Sequence, residues 1–143
     1  MKGFLGSYLH KIDEKGRLGL PAPFRRESGG QTLVLVHVFP DCLTLYPESA
    51  WDEDVDPKLR VAMRGSRAER AWALRVSANA MEVDLDKQGR ILVPQRMQDA
   101  VGLKGSTLVV GALNKIELWD PERFDAATRA GEQAESVTLE IFG

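Results

Sequence analysis

A five-residue pattern that occurs twice constrains this chain more than any other feature. Asp13-Glu14-Lys15-Gly16-Arg17 is followed, 73 positions later, by Asp86-Lys87-Gln88-Gly89-Arg90. Each copy has the composition of a charged tight turn in which glycine supplies a positive φ. Apolar positions around the pattern recur at the same offset over residues 10–52 and 83–125. A unit of about 45 residues is therefore present twice, and such duplication governs how the chain can fold.

The order of apolar runs and turn residues is the same in both units. Each unit is predicted to form two strands around the turn, a short helix, two further strands and a final helix. Pro21 and Pro94 precede the first helix of their units, and Asp120-Pro121 begins the last helix of the second. A unit this short buries too little apolar surface to be stable alone. The two copies are therefore expected to pair into one pseudo-two-fold body, each supplying strands to the other.

The fold class predicted from this pattern is mainly β with short helices, an α+β protein. We expect a first unit at 3–54, a helical connector at 55–77, a second unit at 78–127 and a tail at 128–143. In the connector, Ser66 and Glu69 are spaced as a capping box at the start of a helix. In the tail, Val137, Leu139 and Ile141 alternate with other residues, which favours an additional strand.

The composition narrows the possible functions. The 143 residues include one cysteine, Cys42, so no intrachain disulfide can form and a cytoplasmic location is expected. No run of about 18 apolar residues is present, so we expect no membrane association. Zinc-ligand spacing, a phosphate-binding glycine loop and a nucleophile paired with a base are all missing from the sequence. We therefore expect no enzyme activity, metal, cofactor or small-molecule substrate.

Charge is distributed unevenly along the chain, although its net value is only −2. Residues 1–30 carry a balance of +3 and residues 31–57 one of −6, whereas residues 58–98 carry +5 and residues 99–143 carry −4. Each unit thus begins basic and ends acidic. Solvated surfaces would explain this pattern, and so would one basic face that holds both turns and attracts a polyanion.

The residues alone leave two interpretations of the turns open. In the first, each aspartate braces its arginine and the pair only stabilises a hairpin. In the second, the pseudo-two-fold presents Arg17 and Arg90 together to one groove of DNA. Arginine suits that role because its guanidinium forks onto phosphate oxygens or onto O6 and N7 of guanine.

The doubled turn, each copy followed by a branched strand and proline, resembles the SpoVT-AbrB swapped-hairpin family. Within that larger family, a chain of this length with two copies of the turn resembles the MraZ family of transcriptional regulators. The matching stretches are Asp13-Glu14-Lys15-Gly16-Arg17-Leu18-Gly19-Leu20-Pro21, Leu43-Thr44-Leu45-Tyr46-Pro47, Leu85-Asp86-Lys87-Gln88-Gly89-Arg90-Ile91-Leu92-Val93-Pro94 and Leu113-Asn114-Lys115-Ile116-Glu117-Leu118-Trp119.

The resemblance implies tandem swapped-hairpin units that form one β-barrel-like body. It also implies a ring-shaped homo-oligomer at the nucleoid. That ring would bind short direct repeats of double-stranded DNA upstream of its own operon, in a division and cell-wall gene cluster. Carried over by position, the residues expected to bind DNA are Asp13, Lys15, Arg17, Asp86, Lys87 and Arg90, with Arg25 and Arg26 as further candidates.

A second hypothesis belongs to a different class of protein. The chain would form a ring that docks a protein partner, and the Asp–Arg turns would be purely structural. Weak binding to DNA, indifferent to sequence, would distinguish this interaction module from a regulator.

Overall fold

The computed structural model describes residues 3–143, which form eight β-strands and a series of short helices. The strands are β1 Ser7–Lys11, β2 Arg17–Gly19, β3 Leu33–Val36, β4 Cys42–Pro47, β5 Ala80–Val83, β6 Arg90–Leu92, β7 Ser106–Gly111 and β8 Ile116–Trp119. The helices are α1 Ala22–Ser28, α2 Glu48–Ala50 with a π-turn at Trp51–Val55, α3 Asp56–Met63, α4 Arg67–Ala78, α5 Gln95–Ala100, α6 Pro121–Thr128 with a 3₁₀ turn at Arg129–Gln133, and α7 Glu135–Phe142. The prediction of a mainly β protein with short helices is confirmed.

The sequence repeat is visible in the strand order. Strands β5, β6, β7 and β8 are the counterparts of β1, β2, β3 and β4 at the offset that relates the two turns. The main antiparallel sheet has the order β1-β7-β8-β4-β3-β5, and exchanging every strand with its counterpart returns the same order reversed. The two halves are therefore related by a pseudo-two-fold whose axis passes between the central strands β4 and β8.

Strand exchange between the halves confirms the swapped arrangement. Strand β1 of the first half pairs with β7 of the second, and β5 of the second half pairs with β3 of the first. Strands β2 and β6 pair with each other in a separate two-stranded ribbon. Since each half completes the other's sheet, neither half contains its own full set of backbone partners.

The expectation of a β-barrel-like body is wrong in one respect. Within residues 3–143, the six-stranded sheet ends at β1 on one side and at β5 on the other, so it is open. Closing it would require strands that join the two edges. The available strands, β2 and β6, contribute three residues each and pair across the axis instead.

One hydrophobic core lies between the main sheet, the β2–β6 ribbon and the two short helices α1 and α5. Its fully buried side chains come from both halves and include Leu18, Leu20, Phe24, Leu35, Leu43, Leu45, Ile91, Met97, Ile116 and Leu118. Burying an aliphatic or aromatic side chain of this size stabilises the fold by about 1.5–3 kcal/mol. The core therefore fixes the ribbon, and with it the two turns that the ribbon carries.

The connector between the halves forms the two predicted helices, α3 and α4. Ser66 accepts a hydrogen bond from the Glu69 N–H at 3.1 Å, and Glu69 Oε1 accepts one from the Ser66 N–H at 2.9 Å. These two bonds are the capping box predicted from the sequence. The helices cover the outer face of β3 and β4, on the side of the sheet opposite the core.

The tail differs from its prediction. Val137, Leu139 and Ile141 lie in helix α7 rather than in a strand, and they are 50%, 63% and 68% exposed. An isolated strand leaves its N–H and C=O groups unpaired, whereas a helix satisfies them within its own segment. The alternation of apolar residues in the sequence carries no information on whether a sheet edge lies beside this segment.

Candidate nucleic-acid interface

The first turn is held closed by the carboxylate of Asp13. Its Oδ1 accepts hydrogen bonds from the Lys15 N–H at 3.0 Å and the Arg17 N–H at 2.8 Å. Its Oδ2 accepts a third bond from Arg17 Nε at 2.8 Å. The backbone adds a bond from the Gly16 N–H to the Asp13 carbonyl at 2.9 Å. One carboxylate thus fixes both the backbone of the turn and the arginine side chain.

The second turn repeats this geometry almost bond for bond. Asp86 Oδ1 accepts from the N–H groups of Gln88 and Arg90, and Asp86 Oδ2 accepts from Arg90 Nε, each at 2.9 Å. The Gly89 N–H donates to the Asp86 carbonyl at 3.0 Å. The predicted proximity of aspartate and arginine within each turn is therefore present in both copies.

Glycine is required in these turns by conformation and by space. Gly16 has φ +84° and Gly89 has φ +76°, in the region that other residues rarely adopt. A Cβ on Gly16 would lie 3.0 Å from the carbonyl oxygen of Val93, an atom of the other half. The turn of one half therefore packs directly against the backbone that leaves the turn of the other half.

The β2–β6 ribbon brings the two turns side by side. In its register Leu18 is opposite Ile91, and Gly19 is opposite Arg90. Beyond the ribbon the Leu20 N–H donates to the Gly89 carbonyl at 3.0 Å, and the Val93 N–H donates to the Gly16 carbonyl at 2.8 Å. These reciprocal bonds fix the spacing between the turns.

Charge also links the turns across the pseudo-axis. Arg90 Nη1 lies 4.0 Å from Asp13 Oδ2, while the Arg90 Nε is bonded to its own Asp86. The side chains of Arg17 and Arg90 are 34% and 28% exposed, and those of Asp13 and Asp86 are 35% and 38% exposed. Two oriented guanidinium groups thus lie near the surface on one small ribbon.

Hydrogen bonding lowers the pKa of both turn carboxyls. For Asp13 the largest cause is the bond from the Arg17 backbone N–H, joined by bonds from the Arg17 side chain and the Lys15 N–H, against a smaller opposing effect of burial. For Asp86 the same three causes act through Arg90 and Gln88. Both carboxylates are therefore held ionised, as bracing of an arginine requires.

These lowered pKa values predict an acid-sensitive turn. Because the folded-state pKa lies below the unfolded one, the stabilisation is complete above the unfolded pKa and is lost as pH falls through the folded pKa, below about pH 4. We expect the Asp13→Asn/Asp86→Asn variant to lose less stability than the wild type between pH 6 and pH 3. Urea unfolding at a series of pH values measures this difference. Equal losses in the two proteins would contradict the bracing role.

The two predicted lysines lie in the turns but are not equivalent. Lys15 is the third residue of its turn and Lys87 is the second residue of the other, so the repeat places Lys15 opposite Gln88 and Glu14 opposite Lys87. Both lysines are exposed. The two lysines therefore lie on the exposed turns, in positions that differ by one residue.

Arg25 has a structural contact that the sequence did not suggest. Its Nη1 donates to the Leu20 carbonyl at 2.6 Å, and its side chain lies against Gly89 of the opposite turn. Its counterpart in the second half is Gln98, whose Nε2 donates to the Val93 carbonyl at 2.8 Å and lies close to Gly16. The repeat alignment pairs these two residues, and that pairing was the available signal for their shared bracing role.

Arg26 and His10 lie outside the two turns, in α1 and β1. Arg26 is exposed in the last turn of α1, where its carbonyl accepts a bond from the Gly29 N–H at 3.1 Å. His10 Nδ1 donates to the Gly19 carbonyl at 2.6 Å, since a carbonyl can only accept. That bond ties β1 to the ribbon. Sequence reasoning missed this contact, although the predicted pairing of two strands around the turn was the available signal for it.

Cys42 and the possible metal-ligating side chains are the groups in the described part of the chain that bear on catalysis and metal binding. Burial raises the pKa of the Cys42 thiol to about 12, so it is not a thiolate nucleophile near neutral pH. Among residues 3–143, no three His, Cys, Asp or Glu side chains cluster in a way that could hold a metal ion. Over the same residues, no helix has the length and apolar character needed to cross a membrane.

Comparison with known proteins identifies the family. A family model described as "MraZ protein, putative antitoxin-like" matches residues 4–63 and 76–139, which include both turns. A protein of Thermomicrobium roseum named "Transcriptional regulator MraZ" is 40% identical over 123 residues, covering 86% of this chain and 85% of the relative.

Two further relatives carry the same name. The protein of Desulforamulus reducens is 38% identical over 134 residues, covering 93% of this chain and 90% of the relative. That of Pseudomonas fluorescens is 34% identical over 131 residues, covering 89% of this chain and 86% of the relative. Similarity of this extent, spread across both halves and both Asp–Arg turns, shows that the chain belongs to the MraZ family.

Proposed function

We propose that this chain is a transcriptional regulator that binds double-stranded DNA in a sequence-specific manner through its two Asp–Arg turns. The observation that carries the proposal is the β2–β6 ribbon, which holds two braced arginines side by side about a pseudo-two-fold axis. The names of the family members support the regulatory role.

The arginines have the chemistry that base or phosphate recognition requires. In each turn Nε is occupied by the aspartate, which leaves the terminal nitrogens of Arg17 and Arg90 to bind an anion or a guanine edge. Bracing lowers the entropy lost on binding, because the side chain is already ordered. Lys15 and Lys87 would add phosphate contacts next to each arginine, and exposed Arg26 could add another.

The contacts of Arg25 support a different role from the DNA binding expected from its sequence position. Its bond to the Leu20 carbonyl and its contact with Gly89 support a role in holding the turn, with DNA contact as a secondary role. The equivalent glutamine, Gln98, carries no charge, so a contribution of this position to phosphate binding would come from the first half only.

A net charge of −2 makes one protomer a weak binder of a polyanion, so we infer that several protomers act together. Linked copies on repeated DNA gain effective concentration, and specificity then depends partly on repeat spacing. Exposed apolar residues on β1 and α7, such as Leu9 and Ile141 at 62% and 68% exposure, support self-association. We propose a homo-oligomeric ring that binds direct repeats upstream of its own operon, at the nucleoid.

Fluorescence anisotropy tests this function. A labelled duplex that carries the direct repeats upstream of the gene is compared with a scrambled duplex over a range of salt concentrations. We expect tight binding that requires the repeats, with a steep decrease in affinity as salt rises. Equal and weak binding to the two duplexes would instead favour the protein-docking ring, and a pull-down would then recover a stoichiometric protein partner.

A further inference from the structure

Helix α7 (Glu135–Phe142) is not packed against the rest of its own chain. All eight of its residues are exposed. The hydrogen bonds at its two ends join Ala134 to Thr138 and Leu139 to Gly143, within the same segment. Isolated helices shorter than about 12–15 residues are marginal in water, and most helices in proteins are stabilised by packing of an apolar face. A surface that covers α7 would therefore stabilise it.

The apolar side chains of α7 form one broad face. With about 3.6 residues per turn, they spread over little more than half of the helix circumference, and Ser136 and Glu140 occupy the remaining part. The apolar residues are Val137, Leu139, Ile141 and Phe142, of which Phe142 is 85% exposed. Several large apolar side chains exposed together indicate a surface that contacts another protein surface.

Helix α4 (Arg67–Ala78) of the connector has a free side that suits a second helix. Five exposed residues share this side at the spacing i, i+3, i+4, i+7 and i+11: Arg67, Arg70, Ala71, Leu74 and Ala78. Helix α3 lies on the other side of α4, where its Leu59 lines a cavity together with Trp72. The two alanines allow another helix to approach closely, and Leu74, which is 43% exposed, offers an apolar contact.

Charge makes the two surfaces complementary. Helices α3 and α4 with their link, residues 56–78, carry six bases and two acids, a balance of +4. Residues 115–143, which include α7, carry three bases and seven acids, a balance of −4. Four of these charges lie on the two helices and have no ion-pair partner within residues 3–143: Arg67, Arg70, Glu135 and Glu140. Opposite charges of this kind favour association of the two surfaces.

The fold separates the two surfaces within one copy of the chain. The connector follows β4 and the tail follows β8, and these neighbouring strands are antiparallel. The two segments therefore leave the sheet at opposite ends. A contact between unlike surfaces of two copies is head-to-tail, and a series of such contacts forms a ring if the rotation closes.

We propose that α7 of one copy packs along α4 of the next copy, with Leu74 against the apolar face of α7 and the α4 arginines beside its glutamates. This inference rests on the proposed homo-oligomer and assigns its subunit contact. Neither surface includes a residue of the Asp–Arg turns. The contact therefore leaves the turns free to bind DNA.

Ending the chain at Ala134 removes α7 and leaves the body intact. In sedimentation velocity, the full chain should be an oligomer, and the shortened chain should be a monomer at the same micromolar concentration. The midpoint of urea unfolding should not change, because α7 is fully exposed. An oligomer that survives the truncation would overturn the contact and leave the proposed ring standing. A full chain that is monomeric at every concentration would overturn both.

Reversing the charges gives a test that misfolding cannot imitate. Arg67→Glu/Arg70→Glu makes the α4 surface acidic, and Glu135→Lys/Glu140→Lys makes the α7 surface basic. Each variant alone has like charges at every head-to-tail contact and should be monomeric. In an equal mixture, the connector of each variant meets the oppositely charged tail of the other, so the oligomer should return. Assembly of either variant alone, or a mixture of folded variants that stays monomeric, would overturn the pairing.

Leu74→Ala tests the apolar part of the contact. It should raise the dissociation constant of the oligomer about tenfold, as loss of a central interface side chain does. Alanine favours the helix, so α4 should remain folded. Val61→Ala is the control, because Val61 is 62% exposed on α3, outside the proposed contact. It should assemble like the wild type, and equal effects of the two changes would contradict the proposal.

Discussion

Replacing Arg17 and Arg90 together with alanine should weaken repeat-specific DNA binding about 100-fold or more. Each arginine that forks onto a guanine contributes about 1–3 kcal/mol of discrimination, and in the proposed complex the two turns contact the same stretch of DNA. If the contacts are to phosphate, the slope of log affinity against log salt should fall by about two. Anisotropy titrations at several salt concentrations measure both quantities.

The fold should tolerate this change. An exposed ion pair contributes about 0–1 kcal/mol, and the carboxylates of Asp13 and Asp86 keep their bonds from backbone N–H groups in the variant. The midpoint of urea unfolding should therefore stay close to that of the wild type. A variant that unfolds, or that binds DNA like the wild type, would show that the arginines do not have the proposed recognition role.

The matched control removes the same two charges elsewhere. Arg60 and Arg129 each pair with an aspartate four residues earlier, at 2.6 Å, as the turn arginines do. They lie in α3 and in the 3₁₀ turn after α6 rather than on the ribbon. The Arg60→Ala/Arg129→Ala variant should therefore bind the repeats almost as well as the wild type, apart from the small effect of net charge.

Arginine-to-lysine replacements separate charge from geometry. Arg17→Lys/Arg90→Lys keeps both charges but loses the planar fork and the Nε bond to the aspartate. If the guanidinium groups recognise bases, this variant should retain its salt dependence and lose its preference for the repeats. If only charge matters, it should behave like the wild type.

The sequence was sufficient to predict the swapped fold because the repeat carries the necessary information. An offset that aligns Gly16 with Gly89 also aligns turn with turn and strand with strand. Neither unit can bury its apolar residues alone, so the copies must complete each other. The structure satisfies this requirement by pairing β1 with β7 and β5 with β3.

Other features depend on long-range geometry that a linear pattern does not contain. A barrel closes only if its strands are long enough to join the two edges of the sheet. The sequence around Arg17 and Arg90 does not reveal that the strands there are only three residues long. The contact between Arg25 and Gly89 crosses from one half to the other. Because these two residues are far apart in the sequence, no local pattern predicts their contact. The positive charge of Arg25 indicated a role in DNA binding instead.

In the tail, the sequence pattern predicts a strand, whereas the structure has a helix. Alternating Val137, Leu139 and Ile141 match the period of a strand, yet the segment is helix α7. A two-residue period of apolar side chains identifies the buried face of a strand only where a sheet edge is available to pair with that strand.

Replacing Leu18 with alanine should destabilise the protein by about 2–5 kcal/mol, the usual cost of truncating a fully buried leucine. Leu18 is 0% exposed, and its partner across the ribbon, Ile91, is 1% exposed. Ile91→Ala should cost a similar amount. The surrounding core belongs to both halves, so it cannot relax into the space on one side without disturbing the other. Urea unfolding measures these losses, with Val61→Ala, at an exposed valine of α3, as a control expected within about 0.5 kcal/mol of the wild type.

The double variant tests whether the ribbon is one cooperative unit. Since Leu18 and Ile91 are opposite each other, removing both should cost less than the sum of the single losses, by about 0.5–3 kcal/mol. DNA binding by the single variants should fall only in proportion to the unfolded fraction, because the turns keep their own aspartate bonds. Strictly additive losses would mean that the two side chains are supported separately. In that case the close spacing of Arg17 and Arg90 would depend on the reciprocal backbone bonds at Gly16 and Gly89 rather than on the core beneath the ribbon.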